Sequence, residues 1–263
     1  MDDYTNAIKI ASDCEAYLKS KPHLIQRVRL GEMNLHKLYG SLHLRDYENG
    51  TSFATNCMTL FNPGTLNWLI FLEYYFLLCL HTKNYIKAKE VFNQVIGHSS
   101  FKLYPAQSKE KWKIFESFLN YAIPSSVPGS KKFNVAKFIN EVPIFSKDKA
   151  GYNLSIIISQ IILLINLKDF SKILDKAEPL KQYASRYIKK EKNPRSYYFI
   201  KMLLVMVNYD FDSKKTAQIA NKFFIKLKES HLGLQSELET LEVIPYDVLW
   251  PEIISKLEAS EKS

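Results

Sequence analysis

The sequence predicts an all-α protein of about thirteen helices, arranged as antiparallel helical hairpins. Three observations predict this class: glycine and proline are scarce, apolar residues recur at helical spacing, and a short segment repeats along the chain. The 263 residues are 46% hydrophobic and 24% charged, which is the composition of a folded globular chain.

The scarcity of glycine and proline excludes two common fold classes. An all-β sandwich or barrel needs many turns marked by these residues, and a dinucleotide-binding fold needs a glycine-rich phosphate loop. Eight glycines and ten prolines, with no such loop among them, satisfy neither requirement.

Apolar periodicity places individual helices. Residues 84–97 and 213–228 carry apolar side chains at i, i+3, i+4 and i+7, which predicts amphipathic helices. The apolar stretches 66–80 and 154–167 are interrupted by polar residues and are too short for a membrane span. We predict buried helices for both, although the isoleucines of the second would also suit a strand.

Prolines mark helix ends. Ser20-Lys21-Pro22 predicts the start of a helix, and Asn62-Pro63-Gly64 separates two helices. Residues 245–259 predict a C-terminal helix that caps the array, with its apolar side chains on one face. We expect residues 1–263 to form a single helical-repeat domain.

An internal repeat supports the hairpin arrangement. Residues 42–50 match residues 80–88 at an offset of 38, residues 165–173 form a weaker copy, and residues 208–217 form a faint one. Each copy lies where one apolar helix ends and another begins. We therefore expect the Asp or Asn of each copy to lie in a tight turn and cap the second helix.

Segment 84–92 resembles the tetratricopeptide-like (TPR-like) repeat superfamily, with Tyr85, Ala88 and Phe92 at its aromatic, small and large apolar positions. The resemblance implies a right-handed solenoid of antiparallel helical hairpins. The first helix of each pair would line a concave groove that binds a partner peptide or helix.

Three longer segments, 138–149, 195–204 and 244–250, are similar to a family of uncharacterised bacterial helical-repeat proteins. This resemblance implies the same fold and a bacterial cytoplasmic setting, and it implies nothing about mechanism.

Cysteine usage also favours the cytoplasm. Cys14, Cys57 and Cys79 are odd in number, widely spaced and without a CxxC pair, so we expect free thiols rather than disulfides or a zinc site. The acidic N-terminus has no signal-peptide pattern.

Catalytic motifs are absent from the sequence, so we predict no enzyme activity, catalytic residue, cofactor or metal site. The six histidines do not stand at metal-ligand spacing. His43 and His81 occupy equivalent repeat positions, and we expect a shared structural role, such as donation to a helix-end carbonyl.

The net charge of +9 is unevenly distributed. Residues 81–140 carry a net +7, residues 168–228 a net +9, and residues 229–263 a net −6. The densest basic cluster, 186–195, lies at a predicted helix C-terminus. Cations there could either stabilise the helix through its dipole or bind an acidic partner.

These features predict a non-catalytic protein–protein interaction scaffold or adaptor whose partner is an acidic protein or peptide. The candidate contacts, chosen for charge and position, are Lys147, Lys149, Arg186, Arg195 and Lys201. The first two lie in the polar connector 145–153, which suits either an anion site at a helix start or a solvated connector.

The alternative is a nucleic-acid-associated regulator that uses the basic stretches 81–140 and 168–228. Only five of the 36 basic residues are arginine, the residue that reads bases and phosphates best, so nucleic acid is the less favoured partner.

Overall fold

The computed structural model describes residues 3–123, 133–141, 152–230 and 242–262. These residues form twelve α-helices and two short 3-10 turns, and no β-strand occurs among them. The all-α class is therefore confirmed. The chain divides into two compact units, Met1–Lys109 and Glu110–Ser263.

Five helices belong wholly to the first unit: α1 (Asp3–Ser20), α2 (Arg27–Leu44), α3 (Tyr47–Leu60), α4 (Leu66–His81) and α5 (Tyr85–Ile96). Helix α2 packs on α1, α3 and α4, and α4 also packs on α3 and α5. The helices predicted at 66–80 and 84–97 are confirmed. The helix predicted to start at Pro22 starts at Arg27, because Pro22 opens a 3-10 turn instead.

The unit boundary falls within α6 (Ala106–Ala122). The second unit continues with α7 (Val135–Glu141), α8 (Tyr152–Asn166), α9 (Phe170–Tyr187), α10 (Pro194–Asn208), α11 (Ser213–Glu229) and α12 (Tyr246–Glu261). Helix α10 packs on α9, α11 and α12, and α8 packs on α7, α9 and α12. The stretch 154–167 is a buried helix, so its isoleucines do not form a strand.

Three helix–helix turns share one backbone geometry, at α2–α3, α4–α5 and α8–α9. In each, a non-glycine residue takes the left-handed conformation, and the next N–H donates to the carbonyl five residues earlier. The left-handed residues are Arg45, Lys83 and Lys168, with φ of 57°, 58° and 56°. The accepting carbonyls are those of Ser41, Cys79 and Leu164, at 2.9, 2.8 and 3.0 Å.

The Asp or Asn that follows each left-handed residue caps the second helix. The side chains of Asp46, Asn84 and Asp169 accept hydrogen bonds from the N–H three residues later, at 3.3, 3.2 and 3.3 Å. The capping role predicted from the repeat is confirmed at all three turns.

The α10–α11 turn is one residue longer. Asp210 and Phe211 are both left-handed, with φ of 52° and 63°, and the Phe211 N–H donates to the Met206 carbonyl at 3.0 Å. Asp212 then caps α11 by accepting from the Lys215 N–H at 2.8 Å. The inserted residue explains why this copy is faint in the sequence.

A small residue follows each of the first two turns and is buried: Gly50 in α3 and Ala88 in α5. Ala88 is 0% exposed, and Gly50, its counterpart in α3, faces Ser41 of α2 and Leu78 of α4. A methyl group at Gly50 would lie 3.4 Å from the Ser41 Cβ and 3.5 Å from the Leu78 Cδ1, which is ordinary van der Waals contact. The site therefore accommodates alanine, as its counterpart does.

Gly50→Ala is accordingly expected to stabilise the protein by about 0.5–1 kcal/mol, because glycine weakens a helix interior relative to alanine. Gly40→Ala is the matched control, since its methyl group would lie 2.8 Å from the Ile8 Cγ1 and would push against α1. Urea unfolding of both variants should show Gly50→Ala as the more stable one. The reverse order would contradict the packing.

Candidate functional site

Four exposed cations cluster where α9 ends and the chain turns into α10. We call Arg186, Lys189, Lys190 and Lys192 the basic turn; all four are exposed. The Lys189 carbonyl accepts from the N–H of Lys192 at 3.1 Å and from that of Asn193 at 2.7 Å. Asn193 is buried, with 3% exposure, so the segment is a short turn anchored at its end.

The charge of the basic turn is not neutralised within the described structure. Among the described residues, none of its four cations forms an ion pair with a carboxylate. Glu191 is the single acidic residue in the segment and is itself exposed. The cations lie at the negative end of the α9 dipole, and this favours them there without neutralising them.

Lys201 lies on α10, half-buried, with its Nζ 5.5 Å from the ring centroid of Tyr197. This is a cation–π contact one helical turn apart on the same face. No hydrogen bond or ion pair within the described residues joins Lys201 to the basic turn. The other two candidate contacts, Lys147 and Lys149, lie outside the described residues.

Arg195 has a different role from the predicted partner contact, because its side chain is buried in an ionic network. It is 4% exposed. Its Nε donates to Glu242 Oε1 at 2.6 Å, and its Nη2 donates to Glu242 Oε2 at 2.9 Å and to Asp247 Oδ1 at 2.6 Å. Its Nη1 donates to the carbonyls of Leu227 at 3.0 Å and Ser230 at 3.4 Å.

This network engages every donor that a guanidinium offers. Burial works to lower the pKa of Arg195, but Glu242 and Asp247 outweigh it and raise the pKa, so the side chain stays charged. The network joins the start of α10 to the end of α11 and the start of α12. Arg195 is therefore structural and does not belong to an exposed contact surface.

The sequence held only an indirect signal for this network. Glu242 and Asp247 lie 47 and 52 residues after Arg195, so no local spacing connects them. Residues 229–263 are acidic and the stretch 168–228 before them is basic, which indicates that the two segments attract each other. It does not indicate which side chains pair.

Lys256 of α12 is a partly buried cation that sequence reasoning missed. Its Nζ lies 3.5 Å from the ring centroid of Tyr121 in α6 and donates to the Asn166 Oδ1 of α8 at 2.6 Å. Burial lowers the pKa of Lys256 to about 8, with Glu252 acting in the opposite direction. The contacts tie α12 to α6 and α8, so this lysine also serves the fold.

The two repeat histidines are buried against aromatic rings. His43 stacks on Tyr4 with ring centroids 4.1 Å apart, and His81 meets Tyr47 edge-on at 5.7 Å. The predicted hydrogen bond to a helix-end carbonyl is not found for His43, because neither of its ring nitrogens has a hydrogen-bond partner. Burial lowers its pKa to about 4, so it is neutral at pH 7.

The residues that the structure describes contain neither a metal-binding cluster nor a membrane-spanning helix. No group of three or more His, Cys, Asp or Glu side chains that could hold a metal ion occurs there. Within the same residues, no helix has the length and apolar character needed to cross a membrane. The basic turn is the candidate site for binding a partner, and Lys201 beside Tyr197 is a further candidate contact on α10.

Comparison of the chain with protein-family models, curated proteins and solved structures finds no match.

Proposed function

We propose that this chain is a non-catalytic interaction module that binds an acidic protein segment through the basic turn of its second unit. The observation that carries the proposal is that Arg186, Lys189, Lys190 and Lys192 lie exposed on an anchored turn and form no ion pair with a carboxylate of the described residues. A cluster of exposed cations attracts carboxylates and accelerates their association.

The proposed architecture is a right-handed, TPR-like solenoid of helical hairpins. The shared geometry of the α2–α3, α4–α5 and α8–α9 turns supports equivalent hairpins, and the longer α10–α11 turn is a variant of it. Stacked hairpins present the first helix of each pair on a concave face. Helix α10 is such a first helix, which would place Lys201 on the binding side.

The partner chemistry follows from the charge and exposure of this site. Lysine ammonium groups act as mobile point charges. The site therefore favours a partner with many carboxylates close together and does not require one fixed geometry. The partner is therefore an extended or helical segment rich in Asp and Glu. Tyr197 adds an aromatic edge beside Lys201 for an apolar side chain of that segment.

The test measures binding of a fluorescent Glu-rich peptide and of the same peptide with Gln in place of Glu. The test variant replaces all four cations of the basic turn with alanine. The control variant replaces four other exposed lysines of the second unit: Lys181, Lys214, Lys222 and Lys226. Both variants lose the same net charge, so only the position of the charge differs.

We expect the native chain to bind the Glu-rich peptide, and binding to weaken about tenfold or more in the test variant and only slightly in the control. Lys201→Ala should weaken binding on its own. Equal losses in the two quadruple variants would show a general charge effect and contradict the assigned site.

The same titration separates a nucleic-acid partner from a protein partner. A duplex or single-stranded oligonucleotide that binds more tightly than the peptide at low salt, with a steep loss on adding salt, would indicate nucleic acid and overturn the proposal.

A further inference from the structure

An exposed face of α1, beside the face that packs on α2, carries an apolar stripe with coiled-coil spacing. Ala7, Ile10, Cys14 and Tyr17 repeat at intervals of three and four residues, and all four are exposed. Ile10 is 62% exposed and Tyr17 is 58% exposed. Apolar positions with this alternation form the seam of two-helix coiled coils.

A different face holds α1 on the first unit. Tyr4 stacks on His43, Ile8 lies against Gly40, and Ala11 is buried with 5% exposure. Glu15 forms an ion pair with Lys37 of α2. These contacts place α1 independently of the stripe, so the stripe is available to another helix.

The stripe continues into a charge at each end. Asp3 precedes Ala7 by four residues and Lys21 follows Tyr17 by four residues, and both are exposed. Lys21 directly follows α1, and its N–H donates to the Leu18 carbonyl at 3.1 Å, so it continues the last turn. The complete pattern is acidic at one end, apolar in the middle and basic at the other end.

This pattern is complementary to itself when two copies run antiparallel. Full overlap sets Asp3 against Lys21, Ala7 against Tyr17, and Ile10 against Cys14 of the second copy. Each pairing is favourable, because it joins opposite charges, a small with a large side chain, or two apolar side chains. Parallel pairing would instead oppose Asp3 to Asp3 and Lys21 to Lys21, which costs free energy.

We infer that the occupant of this stripe is a second copy of the chain, bound antiparallel through α1 around a twofold axis. A twofold interface uses the same patch on both copies, which this self-complementary pattern satisfies. Four apolar side chains per copy make a small interface, so the association is weak and concentration-dependent. The inference is independent of the basic turn and of its partner.

One residue opposes the pairing and provides a test of its geometry. Asp13 lies on the edge of the stripe opposite the α2 side and is exposed. In the antiparallel dimer the two Asp13 side chains flank the centre of the seam and repel each other. Neutralising this residue should therefore tighten the dimer, whereas docking of an unrelated helix would not require that result.

The experiment is sedimentation equilibrium of the full chain over a wide concentration range, with a reducing agent present. The native chain should show a monomer–dimer equilibrium. Ile10→Lys should weaken dimerisation about tenfold or more, because it places like charges inside the seam. Ile86→Lys, at a position of α5 that is even more exposed (74%), is the control and should leave dimerisation unchanged.

A charge swap tests the antiparallel register. Asp3→Lys and Lys21→Asp should each weaken the dimer, and the double variant should restore it. Asp13→Asn should strengthen it. A native chain that stays monomeric throughout the range, equal effects of the Ile10 and Ile86 variants, or no recovery in the double variant would overturn the inference.

Discussion

Replacing Arg195 with methionine is expected to lower the free energy of unfolding by about 3–5 kcal/mol, the range for breaking a buried ion pair by removing one partner. The variant would leave Glu242, itself only 7% exposed, without the guanidinium that binds both of its oxygens. It would also remove the donors to the Leu227 and Ser230 carbonyls at the end of α11.

The loss should concentrate in the second unit, because the network joins α10, α11 and α12. Glu242 also accepts from the Tyr246 N–H at 2.7 Å, so the same carboxylate holds the start of α12. Disturbing it should loosen α12 before it affects helices that lie far from the network. Hydrogen exchange of the α12 amides reports this directly.

Two variants control the Arg195 measurement in urea unfolding followed by circular dichroism. Arg186→Met removes an exposed arginine one helix earlier and should change stability by less than about 0.5 kcal/mol. Arg195→Met combined with Glu242→Gln should recover part of the loss, since removing both charges of a buried pair costs less than removing one. If the Arg195 side chain were exposed, Arg195→Met would instead change the free energy of unfolding as little as Arg186→Met.

Acidification is expected to destabilise the first unit through His43, by about 3 kcal/mol between pH 6.5 and pH 4. In the folded chain, burial lowers the pKa of this histidine to about 4, whereas the unfolded chain keeps the ordinary value of 6.5. The unfolded state therefore binds the proton first as the pH falls. Stability is retained above pH 6.5 and is lost progressively down to about pH 4.

His43→Phe isolates this effect from the carboxylates that also titrate in acid. Phenylalanine keeps a ring to stack on Tyr4 and has no nitrogen to protonate. The difference in unfolding free energy between this variant and the native chain should grow as the pH falls through the window. His36→Phe, at an exposed histidine of the same helix, is the control for the replacement of a histidine by phenylalanine.

The acid effect should appear in the amides of α1 and α2, since the Tyr4–His43 stack joins these helices. Lower protection factors there at pH 5 than at pH 7, after correction for the pH dependence of intrinsic exchange, are the expected result, and His43→Phe should abolish the difference. A pH dependence of equal size in the native chain and in His43→Phe would show that His43 is already accessible to protons when folded.

Sequence reasoning succeeded where the determining interactions are local. An Asp or Asn side chain caps a helix by accepting from the backbone N–H three residues later, which is a local interaction. Asp46, Asn84 and Asp169 could therefore be assigned as N-caps from the repeat alone. Apolar periodicity placed α5 and α11 in the same way. The α10–α11 turn was harder to place, because one inserted residue shifts its cap to Asp212.

The candidate site could be predicted only in part. The basic cluster at 186–195 and its position at a helix end were visible in the sequence, and the structure places its first members on an exposed turn. The sequence could not separate Arg186 from Arg195, which lie nine residues apart and carry the same side chain. Their exposure differs because α11 and α12 cover one of them.

The sequence by itself determined the all-α class, the main hairpin turns and the uneven distribution of charge, because composition, caps and periodicity act over a few residues. Only the tertiary structure decided that Arg195 is a buried anchor, that His43 is held neutral against the Tyr4 ring, and that the stripe on α1 is exposed. Each of these depends on which distant helices exclude water from a side chain. That exclusion sets both the cost of a charge and the availability of an apolar surface.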